Sequence, residues 1–254
     1  MIRSLFFLCG ILFCSILFAG TRDPNTSDSK YLDYGSKFHC VLKIEGQDHK
    51  DQKYFASCVA INKNCILTAA HVVQDCKACY VVLNDKKYCI EKVICPSDYE
   101  ENKFGYHDIA IGYLEADTDL GLDFYPELYS KTDETGKVCA ISGFGLTGTF
   151  RTGTNQSDDK RRAGSNKINH IDRQLLICSP SVNNRTELEF LIGSGDSGGG
   201  LFIDNKLAGI NSCVISNDGK PNSSYNDESG HTRISQHLQW IQDNLRDHYG
   251  KKEE

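Results

Sequence analysis

Eight consecutive residues, Gly193-Ser194-Gly195-Asp196-Ser197-Gly198-Gly199-Gly200, restrict this chain more than any other stretch. Five glycines in that octet argue against a helix or a regular strand, because glycine loses more backbone freedom there than other residues do. The apolar run Leu201-Phe202-Ile203 that follows reads as a strand leaving a tight turn. A turn with so few Cβ atoms can expose the Ser197 hydroxyl and aim the N–H groups of Gly195 and Ser197 at one point. Two such donors are what a developing oxyanion needs in acyl transfer. A hydroxyl is a weak nucleophile at neutral pH, so Ser197 requires a base and a group that orients the base.

The base candidate is His71, in Thr68-Ala69-Ala70-His71, and the orienting carboxylate is Asp108, in His107-Asp108-Ile109-Ala110. Together with Gly-Asp-Ser-Gly-Gly, in the order His, Asp, Ser, these segments resemble the trypsin-like serine proteases of the chymotrypsin fold, over roughly residues 37–245. The resemblance implies an all-β fold of two six-stranded antiparallel β-barrels with a C-terminal α-helix. It also implies a secreted serine endopeptidase that works through an acyl-enzyme. His71 would be the base, Asp108 its orienting partner, Ser197 the nucleophile, and the Gly195 and Ser197 N–H groups the oxyanion hole. On this basis the free imidazole should titrate near its reference value of about 6.5. No cofactor and no metal is expected, the partners are polypeptide substrates, and the chain should be a monomer. The fold also hosts catalytically idle homologues that act as binding modules. Such chains usually lack a triad member, and none is missing here.

By the same resemblance, the primary specificity pocket has Leu191 at its floor, with Ile192, Ser212, Val214 and Ser229 around it. Leu191 offers no charge to pair a buried lysine or arginine, and branched Val214 narrows the slot, so small or medium apolar residues are expected before the scissile bond. A one-residue shift that brings Glu228 into the wall would favour basic residues, and His231 would favour acidic ones. Asp196 usually pairs with a freshly cut N-terminus in this family, yet no such motif occurs here. Leader removal near Gly20 or Thr21 would expose an amine able to take that place. Val72 and Ala56 stand where the family has a pair of cysteines, Ile203 stands at the usual partner position of Cys139, and Gly200 replaces a proline. These departures suggest a likeness to bacterial and phage members.

Residues 1–20 read as a secretory signal peptide, with one basic residue, Arg3, an apolar run and small residues at its end. The rival reading is an uncleaved anchor. A secreted, periplasmic or extracellular location follows, with no membrane association after signal removal. Residues 21–36 read as an extended polar arm, 37–249 as the protease domain with its two halves joined through about 115–136, and 250–254 as a tail. The segment 146–166, rich in Gly, Thr and Ser and carrying Lys160-Arg161-Arg162, reads as a mobile surface loop. A formal net charge of −6 argues against a nucleic-acid footprint. Ten cysteines beyond the leader suggest disulfides formed in an oxidising compartment. Cys76, Cys79, Cys89 and Cys95 could instead form a zinc cluster.

Overall fold

The computed structural model describes residues 20–250 apart from 104 and 182. All of the expected leader but Gly20, and all of the expected tail but Gly250, lie outside the described residues. The elements run β1 (Thr21–Arg22), α1 (Asp28–Gly35), β2 (Val41–Asp48), β3 (Lys53–Asn62), β4 (Cys65–Thr68), α2 (Ala70–Val73), β5 (Cys76–Leu83), β6 (Lys86–Ile94) and β7 (Ala110–Leu114). They continue with β8 (Val138–Gly143), β9 (Thr147–Thr149), β10 (Gly153–Gln156), β11 (Arg162–Asp172), β12 (Leu175–Cys178), β13 (Phe190–Leu191), β14 (Gly200–Ile203), β15 (Lys206–Ser216), β16 (Asp227–Arg233) and α3 (Ile234–Gly250).

Two closed barrels result, in the orders β2-β3-β4-β7-β6-β5 and β11-β12-β16-β15-β14-β8, with antiparallel pairing throughout. This is the all-β, two-barrel architecture with a closing helix expected from the sequence. Closure removes exposed strand edges, and each barrel interior fills with apolar side chains. In the first barrel Ile44 and Ile66 on one face of the strands and Val41, Val59, Leu67 and Ile111 on the other are fully buried, as are Ile141, Ile168, Leu176 and Leu201 in the second. The helix α3 buries Ile234 and Ile241, two positions of the apolar stripe seen in the sequence.

Three local readings differ from the structure. Residues 21–36 are not an extended arm. Ser27 caps α1 by accepting a hydrogen bond from the Ser29 N–H, and Tyr31 on that helix is fully buried against Phe190. Nor is 146–166 one mobile loop, because β9, β10 and the start of β11 occupy it. The basic cluster there holds the fold together. Arg161 donates to the carbonyls of Gly35 and Val41, and buried Arg162 donates to both carboxylate oxygens of Asp28 and of Asp158. Finally, Gly250 closes α3 and does not begin the tail.

Candidate active site

The cleft between the barrels is supplied from both. The strand β4 ends at Thr68, and the single turn α2 presents His71. The imidazole Nδ1 lies 2.7 Å from Asp108 Oδ2, and the His71 backbone N–H donates to Asp108 Oδ1 at 3.0 Å. Asp108, only 4% exposed, precedes β7. The Ser212 hydroxyl donates to Asp108 Oδ2 at 2.6 Å, and the Thr232 hydroxyl donates to its backbone carbonyl. Burial would by itself raise the Asp108 carboxyl, but the His71 charge and the hydrogen bonds from His71 and Ser212 hold it below the usual range. For His71, burial alone would lower the imidazole, yet the Asp108 charge and hydrogen bond outweigh it and raise it above 6.5. The expectation of an unperturbed imidazole is therefore corrected, because the sequence does not reveal how closely Asp108 approaches.

Ser197 lines the same cavity of about 360 Å³ as His71, together with Asp108, Ile192, Ser194, Ser212 and Val214. Among the described residues no hydrogen bond joins the Ser197 hydroxyl to His71. The turn that carries Ser197 needs glycine at two points. Gly195 has φ of +87°, and a Cβ there would meet the Phe55 ring at 2.3 Å. Gly198 has φ of +84°, and a Cβ would lie 2.1 Å from the Ser57 carbonyl oxygen. Ser57 of β3 clamps this turn from the opposite barrel. Its N–H donates to the Ser197 carbonyl, its hydroxyl donates to the Gly195 carbonyl at 2.8 Å, and that hydroxyl accepts from the Phe144 N–H. Sequence reasoning missed Ser57, since nothing local marks a contact across 138 positions.

Asp196 is buried beneath the turn. Its carboxylate accepts from the N–H groups of Gly145, at 2.7 Å, and Gly193, at 3.1 Å, and from the Gly20 backbone. Burial pushes its pKa up to about 7 against the opposing effect of those donors. Gly20 is held there because Thr21 pairs with Leu191 on one side and Gly148 on the other. The space is tight, as a Cβ on Gly20 would lie 2.6 Å from Asp196 Oδ2.

Of the remaining specificity candidates, Leu191 and Ser229 are fully buried. Leu191 sits in β13 against β1, and the Ser229 hydroxyl accepts from the Ile192 N–H. Neither lines the catalytic cavity, whereas Ile192, Ser212 and Val214 do, joined by Cys213, Pro221 and Tyr99. Glu228 accepts a hydrogen bond from Ser179 and lines a separate cavity, while His231 is buried against Asn211. None of the ten described cysteines is bridged, and among the described residues no three His, Cys, Asp or Glu side chains gather as a metal site.

Two closed barrels with a His–Asp pair and a glycine-framed serine at their seam are the arrangement of a chymotrypsin-fold hydrolase. The family model described as Trypsin matches residues 29–241, and the chain belongs to that family. A chymotrypsin of Phaedon cochleariae is 31% identical over 204 residues, covering 72% of this chain and 69% of the relative. This comparison does not show the expected leaning toward bacterial and phage members. Among solved structures, HL collagenase matches with TM-score 0.66 at 19% identity, over 82% of this chain and 94% of that one. Mouse neuropsin matches with TM-score 0.64 at 20% identity, over 82% and 95%. At such identities the likeness concerns the fold alone. The family membership makes the chain a serine endopeptidase.

Proposed function

We propose that this chain is a secreted serine endopeptidase in which His71, Asp108 and Ser197 form the catalytic triad. The supporting observation is the hydrogen-bonded unit Ser212–Asp108–His71, facing the same cavity as Ser197. His71 Nε2 takes the Ser197 proton as Oγ attacks the scissile carbonyl, then returns it to the leaving amine. Asp108 fixes the tautomer, with Nδ1–H donating to its carboxylate, and stabilises the imidazolium. The Gly195 and Ser197 N–H groups receive the oxyanion, and water releases the acyl group. Catalytic contacts commonly tighten only when substrate is bound, which fits the open Ser197–His71 approach. The reading is tested by a phosphonylating probe, which should label Ser197 stoichiometrically in wild type and not in His71→Ala. Labelling of neither would leave an idle homologue.

The preferred residue before the scissile bond is small or medium and apolar, because Ile192 and Val214 line the cavity next to Ser197. Leader removal between Ala19 and Gly20 completes the site. The α-ammonium of Gly20 then lies where its backbone nitrogen already meets the buried Asp196 carboxylate. The mature chain acts on polypeptides as a monomer.

A further inference from the structure

A pair of thiols lies at a second cavity that reaches His71 and Ser197 but is not lined by Val214. The strand β5 starts with Cys76-Lys77-Ala78-Cys79, and its pairing with β2 slips by one residue there, Gln47 facing Ala78 while Asp48 faces Cys76. Side chains three apart on a regular strand point to opposite faces. The extra residue of the slip cancels that alternation, and the two thiols hydrogen-bond one another. Cys79 is 2% exposed, whereas Cys76 is half-buried and lines a cavity of about 270 Å³ with His71, Ser197, Gly195, Phe55 and Tyr54. The Tyr54 hydroxyl links this pair to the catalytic helix. It donates to the Val72 carbonyl at 2.6 Å, one residue beyond His71, and lies 3.1 Å from Cys79 Sγ. The hydrogen bond from Cys79 stabilises the Cys76 thiolate and brings its pKa down to about 7, against the opposing effect of burial. Burial pushes the Cys40 and Cys95 thiols up instead.

We propose that Cys76 and Cys79 form a reversible dithiol–disulfide pair that controls binding of the polypeptide segment following the scissile bond. Cys76 lines a cavity that shares His71, Ser194 and Ser197 with the specificity pocket but not Ile192 or Val214, and the proposal rests on the peptidase reading of that cleft. The co-reactant is a low-molecular-weight disulfide. The Cys76 thiolate attacks one of its sulfurs, forming a mixed disulfide and releasing one small thiol. Cys79, deprotonated, then attacks Cys76 Sγ and displaces the second small thiol. Two protein thiols are thereby oxidised and one small disulfide is reduced to two thiols. A disulfide needs its sulfurs about 2.05 Å apart, so closure draws Cys76 Sγ off the cavity wall toward buried Cys79 and removes the thiol partner of the Tyr54 hydroxyl. Tyr54 and Phe55 line the same cavity, so its shape changes with the bond.

The test equilibrates the mature chain in glutathione buffers of graded ratio, with thiol trapping and peptide mass mapping at each ratio. Each sample is assayed on two substrates. One is a peptide with at least three residues beyond the scissile bond, and the other is a peptidyl ester of a small alcohol. A reversible Cys76–Cys79 bond is expected, with KM for the long peptide changing at least threefold along the same titration and ester kinetics unchanged. In Cys79→Ser a glutathione adduct should persist on Cys76, because the resolving thiol is gone. Pairing of Cys76 with Cys89 or Cys95, absence of reversible oxidation, or an unchanged KM for the long peptide would each overturn the proposal. Mapping on the unaltered chain decides the pairing even if the variant does not fold. Lack of ester hydrolysis in reduced, unmodified chain would instead count against the peptidase reading, while mapping still reports the thiol chemistry.

Discussion

The contact between Gly20 and Asp196 makes a quantitative demand on the N-terminus. With a peptide bond before Gly20, burial of the carboxyl outweighs its backbone N–H donors and the Arg162 charge, and its pKa rises from 3.8 to about 7. That displacement of about three pH units corresponds to ~4 kcal/mol against the charged form. The sign follows from proton binding. Between these values the folded chain binds more protons than the unfolded chain, so stability falls as pH rises from about 4 to 7 and is level above. An α-ammonium at Gly20 would pair with the carboxylate and remove most of this loss. Two preparations should therefore differ, one starting at free Gly20 and one with that amine acetylated. Urea unfolding should give similar stabilities near pH 4 and a gap approaching ~4 kcal/mol near pH 7.5. If that gap is drawn from the turn bearing Gly195 and Ser197, turnover at pH 7.5 should drop about 100- to 1,000-fold on acetylation, comparable to loss of an oxyanion donor. Phosphonate titration would count competent sites in both forms. Equal activity and parallel stability profiles would refute this reasoning, and Asp196 would then need only its backbone donors.

Asp108→Asn should lower turnover about 10⁴-fold and move the acid limb of the pH–rate profile, which in wild type should lie above pH 6.5, to lower pH; a limb left in place would show that another group governs it. Val214→Gly should admit larger aromatic residues before the scissile bond, read from a profile of cleaved peptides, and an unchanged profile would count against Val214 as the restricting wall. His237 Nδ1 bonds to the Arg233 carbonyl, leaving Nε2 to accept from His107 Nδ1–H at 3.0 Å, so His237→Phe should cost about 1–2 kcal/mol in urea unfolding. Burial holds His237 below its ordinary value, so wild-type stability should decline as pH falls below about 6.5, and the variant should show a flatter decline.

Three short segments carry the candidate site residues, each beside a strand whose apolar run is recognisable in the sequence, and the structure brings them to one cavity. His71 follows Cys65–Thr68, Asp108 precedes Ala110–Leu114, and Ser197 precedes Gly200–Ile203. What sequence reading misses depends on distant partners. The helix α1 is mostly polar and its composition suggests an extended arm, yet it is fixed by Tyr31 burying against Phe190 and by Arg162 reaching back 134 positions to Asp28. The segment carrying the lysine–arginine cluster reads as a mobile loop because local composition does not disclose the carbonyls and carboxylates that Arg161 and Arg162 meet. Ser57 bears no mark in its own neighbourhood, and its role exists only where the second barrel's turn meets it.

The cysteines show the same limit in another form. A count of ten behind an apolar leader suggests bridges, but a count says nothing about which face of a strand each thiol occupies. Cys58 and Cys65 lie on opposite faces of the first barrel's strands, and both are fully buried. Cys139 and Cys178 flank β11 inside the second, with their sulfurs 3.9 Å apart. In such places cysteine packs as a small apolar side chain, and desolvation raises the thiols of Cys58, Cys65 and Cys178 and so suppresses their reactivity. Cys76 differs because a slipped strand pairing puts it beside a second thiol and a tyrosine hydroxyl, at the wall of the cleft. The surroundings of these thiols are thus decided by strand register, which for Cys76 is set by the pairing of β5 with β2.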